Sequence, residues 1–192
     1  MSAELDAARI NMVDCQVRTQ DVTDYAIIDA MRLVGREACV PKGKVHLAYA
    51  DAEVEYAPGR WLLRPRDVGK LLQALRPRAG ERALAIAAPY AAAVLETIGL
   101  SVTRLFDGDL LDLPPAEGGY DVIVCEGAVA RAPASWPAAL AIGGRLGVVE
   151  RDGPVGHAML YLRSPAAIGS RSLFDSTPPV LAGFEPVRAF AL

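Results

Sequence analysis

With 192 residues, 52% of them apolar and 22% charged, the chain has the make-up of one folded globule, able to bury roughly 70% of its unfolded surface. A net charge of −3 and a pI near 5.4 exclude nucleic acid as the main partner, because that binding calls for a basic face. No apolar run approaches the ~18 residues of a membrane span. The charges in MSAELDAARINMVD do not fit an export signal, so a cytoplasmic location is expected.

The first forty residues read as helical. Ala7, Ala8, Asn11, Met12 and Cys15 mark one amphipathic helix. Asp21 or Thr23 is placed to cap a second, with Ile27, Ile28, Met31 and Val34 inward and Gly35 and Pro41 closing it. Residues 42–60 are irregular, with a turn at Pro58-Gly59. A third helix spans Asp67 to Leu75, its apolar side made by Val68, Leu71, Leu72 and Leu75. The next unit, ERALAIAAPYAAAVLETI from Glu81 to Ile98, is strand, turn and helix: a strand at Ala83–Ile86, then a helix from Tyr90 to Thr97. A strand at Val102–Phe106 leads to the acidic, proline-containing loop from Asp107 to Gly119. Tyr120–Cys125 is a continuous apolar strand of the kind buried in parallel sheets. A short helix at Pro137–Ile142 stops at Gly143-Gly144, and strands follow at Arg145–Glu150 and His157–Arg163. The tail from Leu173 to Leu192 reads as strand, Pro-Pro turn, strand, an antiparallel hairpin at the sheet edge. Strands alternating with helices predict a doubly wound α/β fold. Residues 1–76 form its helical side and residues 77–192 its core, in one compact domain.

The unit at Glu81–Ile98 has the layout of the first βα unit of a nucleotide-binding fold, yet its turn holds no glycine. Such turns use glycine to bend tightly and to let a ligand lie against the main chain. Ala87 and Ala88 add Cβ atoms there, and Pro89 lacks the N–H that a helix N-terminus would offer a ligand.

Several long ordered segments carry a resemblance. ARINMVDCQVRTQDVTD (8–24), AMRLVGREACVP (30–41), LAYAD (47–51), GRWLLRP (59–65), YDVIVCEGAV (120–129), GGRL (143–146) and LFDSTPPVLAGFEPVRAFAL (173–192) make the chain similar to the protein-L-isoaspartate O-methyltransferase family, above all its shorter bacterial branch. The resemblance implies a Rossmann-like S-adenosylmethionine-dependent methyltransferase fold, here truncated, with an N-terminal helical subdomain and a C-terminal antiparallel hairpin. The implied cofactor is S-adenosylmethionine, or none if the altered turn excludes it. The implied partner is a protein carrying isoaspartyl residues, whose side-branch carboxylate the family methylates. Ala87, Ala88 and Pro89 stand where the family has its glycine-rich loop, and Tyr90 matches the tyrosine after it. About thirty family residues are lacking between this helix and Tyr120, one strand-helix unit. Val102–Phe106 is then either the second strand with the next unit missing, or the third with the second missing; in the first case Asp107 supplies the ribose-binding acid.

Ala87, Pro89, Tyr90, Asp107, Asp109 and Glu126 are therefore the candidate cofactor-binding residues, by position in the family motif; no catalytic residue and no metal ligand is identified. Each has a plainer reading. Asp107 and Asp109 suit a solvated acidic loop with Asp109 as a turn residue. Glu126, expected just past a strand end where open α/β sheets bind ligands, is otherwise an exposed carboxylate. Arg64 and Arg66 suit surface ion pairs as well as carboxylate recognition. Tyr90, Trp61 and Trp136 suit packing. His46 and His157 lack metal-site spacing, the three cysteines match no zinc or disulfide pattern, and no G-x-S-x-G elbow marks a hydrolase.

Two functions follow: a carboxyl methyltransferase with a distorted pocket, or a non-catalytic descendant acting as a binding or dimeric assembly module. Met12, Ile27, Ile28 and Met31 on the N-terminal helices either form a homodimer surface or fold back over the sheet.

Overall fold

The computed structural model describes residues 2–186. Among the described residues five α-helices, α1 (Ser2–Met12), α2 (Tyr25–Leu33), α3 (Pro65–Leu75), α4 (Pro89–Ile98) and the single turn α5 (Ser135–Ala138), and four short π or 3-10 segments accompany eight strands. A two-stranded antiparallel ribbon joins β1 (Val54–Ala57) to β2 (Arg60–Leu62) across the Pro58-Gly59 turn. The main sheet takes β3 (Arg82–Ile86), β4 (Ser101–Leu105), β5 (Tyr120–Val129), β6 (Leu140–Glu150), β7 (His157–Arg163) and β8 (Ile168–Asp175) in the order β4-β3-β5-β6-β7-β8. The first four are parallel and the last two antiparallel.

Local chemistry sets the helix ends. Asp24, rather than Asp21 or Thr23, caps α2, its Oδ1 accepting from Ala26 N at 2.9 Å. Pro65 and Pro89 open α3 and α4 at the one turn where a missing N–H costs nothing. Gly99, at φ +104°, closes α4 in the left-handed conformation that glycine adopts without strain.

Alternation along the strands sends Ala83, Ala85, Val122 and Val124 to one face and Leu84, Ile86, Ile123 and Cys125 to the other. The first face is covered by α3, α4 and the N-terminal helices. The second packs only α5, the 106–119 loop and the segment around Leu181, so helices are far from evenly shared between the faces. Met12, Ile27, Ile28 and Met31 are buried in the first layer. They fold back over the sheet.

Three further expectations are corrected. The strand from Tyr120 runs on to Val129, so Glu126 lies inside a strand, not beyond it. The helix expected at Pro137–Ile142 is only Ser135–Ala138; β6 starts at Leu140, and the Gly143-Gly144 pair sits in an irregularity of its pairing with β5. The edge hairpin is β7 with β8, while the chain after Pro179 turns back and meets β5 through a parallel bridge between Val180 and Ala128. Leu181 packs so closely there that a Cβ on Gly127, itself at φ +97°, would lie 2.5 Å from it. The remainder of the expected tail strand, residues 187–192, lies outside the described residues.

β4 pairs directly with β3 in register Arg82 to Ser101 through Ile86 to Leu105. It therefore fills the second-strand position, and among the described residues no strand lies beyond it.

Candidate functional site

In open α/β sheets ligands collect at the carboxyl ends of the strands, near the first strand-to-helix turn. That end is made here by Ile86, Ala87 and Ala88 after β3, the N-terminus of α4, Phe106 and Asp107 after β4, and Glu126 in β5.

The turn is closed. Ala87 adopts φ +46°, a left-handed conformation that its Cβ disfavours, and it donates its N–H to Leu105 O at 2.8 Å. Ala87, Ala88 and Tyr90 are fully buried. Pro89 brings no N–H, and Ala92 N returns to Ala88 O at 2.9 Å in ordinary helical fashion.

The remaining donors are taken by Glu126. Its carboxylate, fully buried, accepts from Ala91 N on Oε1 at 2.8 Å and from Leu63 N on Oε2 at 3.0 Å, and the neighbouring Tyr90 amide also favours its charged form. A helix N-terminus attracts anions through its free amides and its dipole, and at α4 the anion is the protein's own side chain. Alternation along β5 aims it there: Val122, Val124 and Glu126 share the face on which α4 packs.

Arg36 completes the cluster. It is fully buried, donates from Nη2 to Leu63 O at 2.5 Å, and stacks its guanidinium 4.9 Å from the centre of the Tyr90 ring. Burial pushes the Glu126 carboxyl above its ordinary range, opposed by Arg36 and by the three amides. Burial also lowers Arg36, opposed first by Glu126. Tyr90 and Cys125 are raised by the same desolvation, and Cys39, beside the cluster, is pushed up to about 11. Arg36 Nε and Nη1 and the Tyr90 hydroxyl have no hydrogen-bond partner among the described residues.

Of the six candidates, Ala87, Pro89, Tyr90 and Glu126 thus come together, but as packing and as a closed hydrogen-bond cluster; Glu126 is neither exposed nor beyond a strand end. Asp107 lies exposed after β4, on the side where the buried hydroxyl of Tyr56 senses Glu126, Arg60 and Asp107. Asp109 stands apart: its Oδ1 accepts from Leu111 N at 2.8 Å, an Asx turn in a solvated loop. Arg64 and Arg66 pair with Glu53 at 2.9 Å and Asp51 at 3.2 Å, so both are engaged at the surface. His157 sits 2.8 Å from Asp175 in the open, and no metal-holding cluster occurs among the described residues. Sequence reasoning missed Arg36 and the Leu63 amide. The signal was a carboxylate inside an otherwise apolar strand, which demands buried partners.

The arrangement does not fit a cofactor that binds through backbone amides and close main-chain approach. Ala91 has given its N–H away, two Cβ atoms fill the turn, and Pro89 has nothing to donate.

No family model matches the chain. It is 33% identical to a protein-L-isoaspartate O-methyltransferase of Methylorubrum populi, over 93% of this chain and 97% of the relative. It is 34% identical to a protein-L-isoaspartate O-methyltransferase 1 of Rhodopseudomonas palustris, over 73% of this chain and 68% of the relative. The first alignment is 206 positions long while 93% of 192 residues is about 179, so about 27 positions of that relative face no residue here. In architecture the chain is similar to a Plasmodium falciparum protein described as a putative protein-L-isoaspartate O-methyltransferase in complex with S-adenosyl-L-homocysteine. The TM-score is 0.73 at 13% identity, covering 90% of this chain and 97% of the other.

Proposed function

The chain belongs to the protein-L-isoaspartate O-methyltransferase family, and on that premise we propose that it is a non-catalytic member, a binding and assembly module that keeps the methyltransferase scaffold without the donor site. The observation that carries this reading is Glu126. A buried carboxylate already occupies the amides at the N-terminus of α4, over a turn whose alanines are fully buried.

The family's donor is S-adenosylmethionine, and methyl transfer depends on holding sulfur, methyl carbon and acceptor oxygen in line, so that orientation supplies much of the rate. A donor entering this site would have to displace Glu126 from its bonds and strip Arg36 of its counter-charge. Breaking a buried charge cluster in this way costs about 3–5 kcal/mol, enough to weaken binding by more than two orders of magnitude. The roughly 27 positions of the Methylorubrum relative that face no residue here point the same way, since they are scaffold that this chain does without.

The second reading is a working carboxyl methyltransferase acting on isoaspartyl proteins in a reshaped pocket. The match along 97% of a relative carrying that name favours it. Incubation with radiolabelled S-adenosylmethionine and an isoaspartyl peptide separates the two. The non-catalytic reading expects no label above the blank; peptide-dependent, enzyme-proportional incorporation would establish the second.

A further inference from the structure

A groove of about 1250 Å³ lies at the opposite end of the sheet, between α3 and the β7–β8 hairpin. Its floor is apolar: Leu160, Leu162, Leu173 and Phe174 from the hairpin, with Ile142 beside them; Ile142 is 68% and Leu162 45% exposed. Its rim is cationic. Lys70, Arg76, Arg78 and Arg171 have no ion-pair partner among the described residues, Lys70 resting 4.4 Å above the Phe174 ring. The fifth cation, Arg145, is held by both oxygens of Glu81 at 2.9 and 3.0 Å. Of the groove's other acids, Asp121 lies 4.0 Å from Arg82, while Asp21 and Asp24 have no ion-pair partner among the described residues, two carboxylates against four unpaired cations. In a chain of net charge −3 this is a surface with positive charge in excess.

Its complement is on the same molecule. The loop sequence DGDLLDL, residues 107–113, exposes Asp107, Asp109 and Asp112, none in an ion pair among the described residues, with Leu111 50% exposed between them. The loop is braced from below, since Leu110 is buried and its carbonyl accepts from Trp136 Nε1 at 3.0 Å. The acidic tip is therefore presented on a fixed base.

We propose, as the assembly surface within the binding-module reading, that the groove between α3 and the β7–β8 hairpin receives the 107–113 loop of a second copy of this chain, three carboxylates meeting the free cations and Leu111 entering over Leu162 and Ile142. Loop and groove are different patches, so the contact is head-to-tail and extends into rows or closes into a ring rather than ending at a two-fold dimer. Charge contacts of this kind between exposed groups weaken steeply with salt.

Sedimentation equilibrium on the full chain tests this. At low ionic strength the weight-average mass is expected to rise with concentration above the 20.4 kDa of one chain and to return to it in about 1 M salt, where the screening length is about 3 Å. Lys70→Glu with Arg171→Glu, and separately Asp107→Lys with Asp112→Lys, should each be monomeric, because groove and loop then carry like charge. Mixing the two double variants should restore association. A wild-type mass of one chain at every concentration, or reversal variants that associate as wild type does through another surface such as Tyr25 and Leu33, would overturn the proposal. Should a variant fail to fold, free DGDLLDL peptide decides: dispersal of wild-type assemblies by excess peptide supports the proposal, and no effect overturns it. The non-catalytic reading is tested on the unmutated chain by radiolabel transfer and donor titration, neither of which reads association, so failure here is distinguishable from failure of that reading.

Discussion

Replacing Glu126 probes the closed turn most sharply. Glu126→Ala leaves the amides of Leu63 and Ala91, bonded at 3.0 and 2.8 Å, without an acceptor in a fully buried site. Each orphaned buried donor costs about 1–3 kcal/mol. Arg36 loses the charge that most opposes its desolvation, and removing one member of a buried charge cluster costs about 3–5 kcal/mol. The two figures describe overlapping events, so they do not add; a loss of about 4 kcal/mol is expected, against total stabilities of about 5–15 kcal/mol. Glu126→Gln keeps the shape and one acceptor oxygen but turns an NH2 group toward one of the amides, donor against donor, and should cost about half as much. Urea unfolding followed by circular dichroism measures both as shifts in midpoint at constant m-value. A loss below about 1 kcal/mol for Glu126→Ala would refute the reasoning, since the α4 amides would then have another satisfactory partner.

Further outcomes follow from the same cluster and its surroundings. Ala87→Gly relieves a φ of +46° worth about 1–2 kcal/mol but removes a buried methyl, so it should be neutral within about 1 kcal/mol. Ala85→Gly, equally buried in the adjacent strand but unstrained, should cost about 1.5–2 kcal/mol; equal losses in urea unfolding would show that Ala87 stores no strain. Burial holds the Glu126 and Asp67 carboxyls above their unfolded values, so the native state binds more protons than the unfolded one once pH passes about 4. Stability contributed by these groups should therefore fall as pH rises from there through their folded values, and Asp67→Asn should flatten the slope in unfolding titrations. Cys15 is exposed, whereas Cys39 is half-buried with its thiol raised to about 11, and Cys125 is buried and raised as well. One thiol should react quickly with an aromatic disulfide reagent and the other two only in denaturant.

The elements most visible in the sequence were those whose pattern depends on neighbours in the chain. The apolar side of α3 and the buried runs of β3 and β5 follow from periodicity alone, and the Pro58-Gly59 turn from residue type. What stayed hidden depended on distant contacts. Asp24 outcompetes Asp21 and Thr23 as cap because Gln73, on α3, takes the amides of Thr23 and Asp24 on its Oε1 and fixes the chain just before α2. β6 starts at Leu140 because it pairs with Tyr120 across the sheet, which no local helix signal at Pro137 could report. At the site, the glycine-free turn was legible and the occupant of the turn was not. Glu126 reads as an exposed carboxylate until β5 is seen to continue past it, because only the strand's alternation aims it at Ala91, and only the fold brings Arg36 and Leu63 from the helical side to meet it.

The central claim, that the protein's own carboxylate has taken the place of the methyl donor, meets its most direct test in titration calorimetry of the wild-type chain with S-adenosylhomocysteine and S-adenosylmethionine. The closed turn predicts no saturable heat with either ligand. A stoichiometric isotherm with a dissociation constant in the low micromolar range would contradict it, because the N-terminus of α4 would then have to be open to a ligand that Glu126, bonded to the Ala91 amide, keeps out.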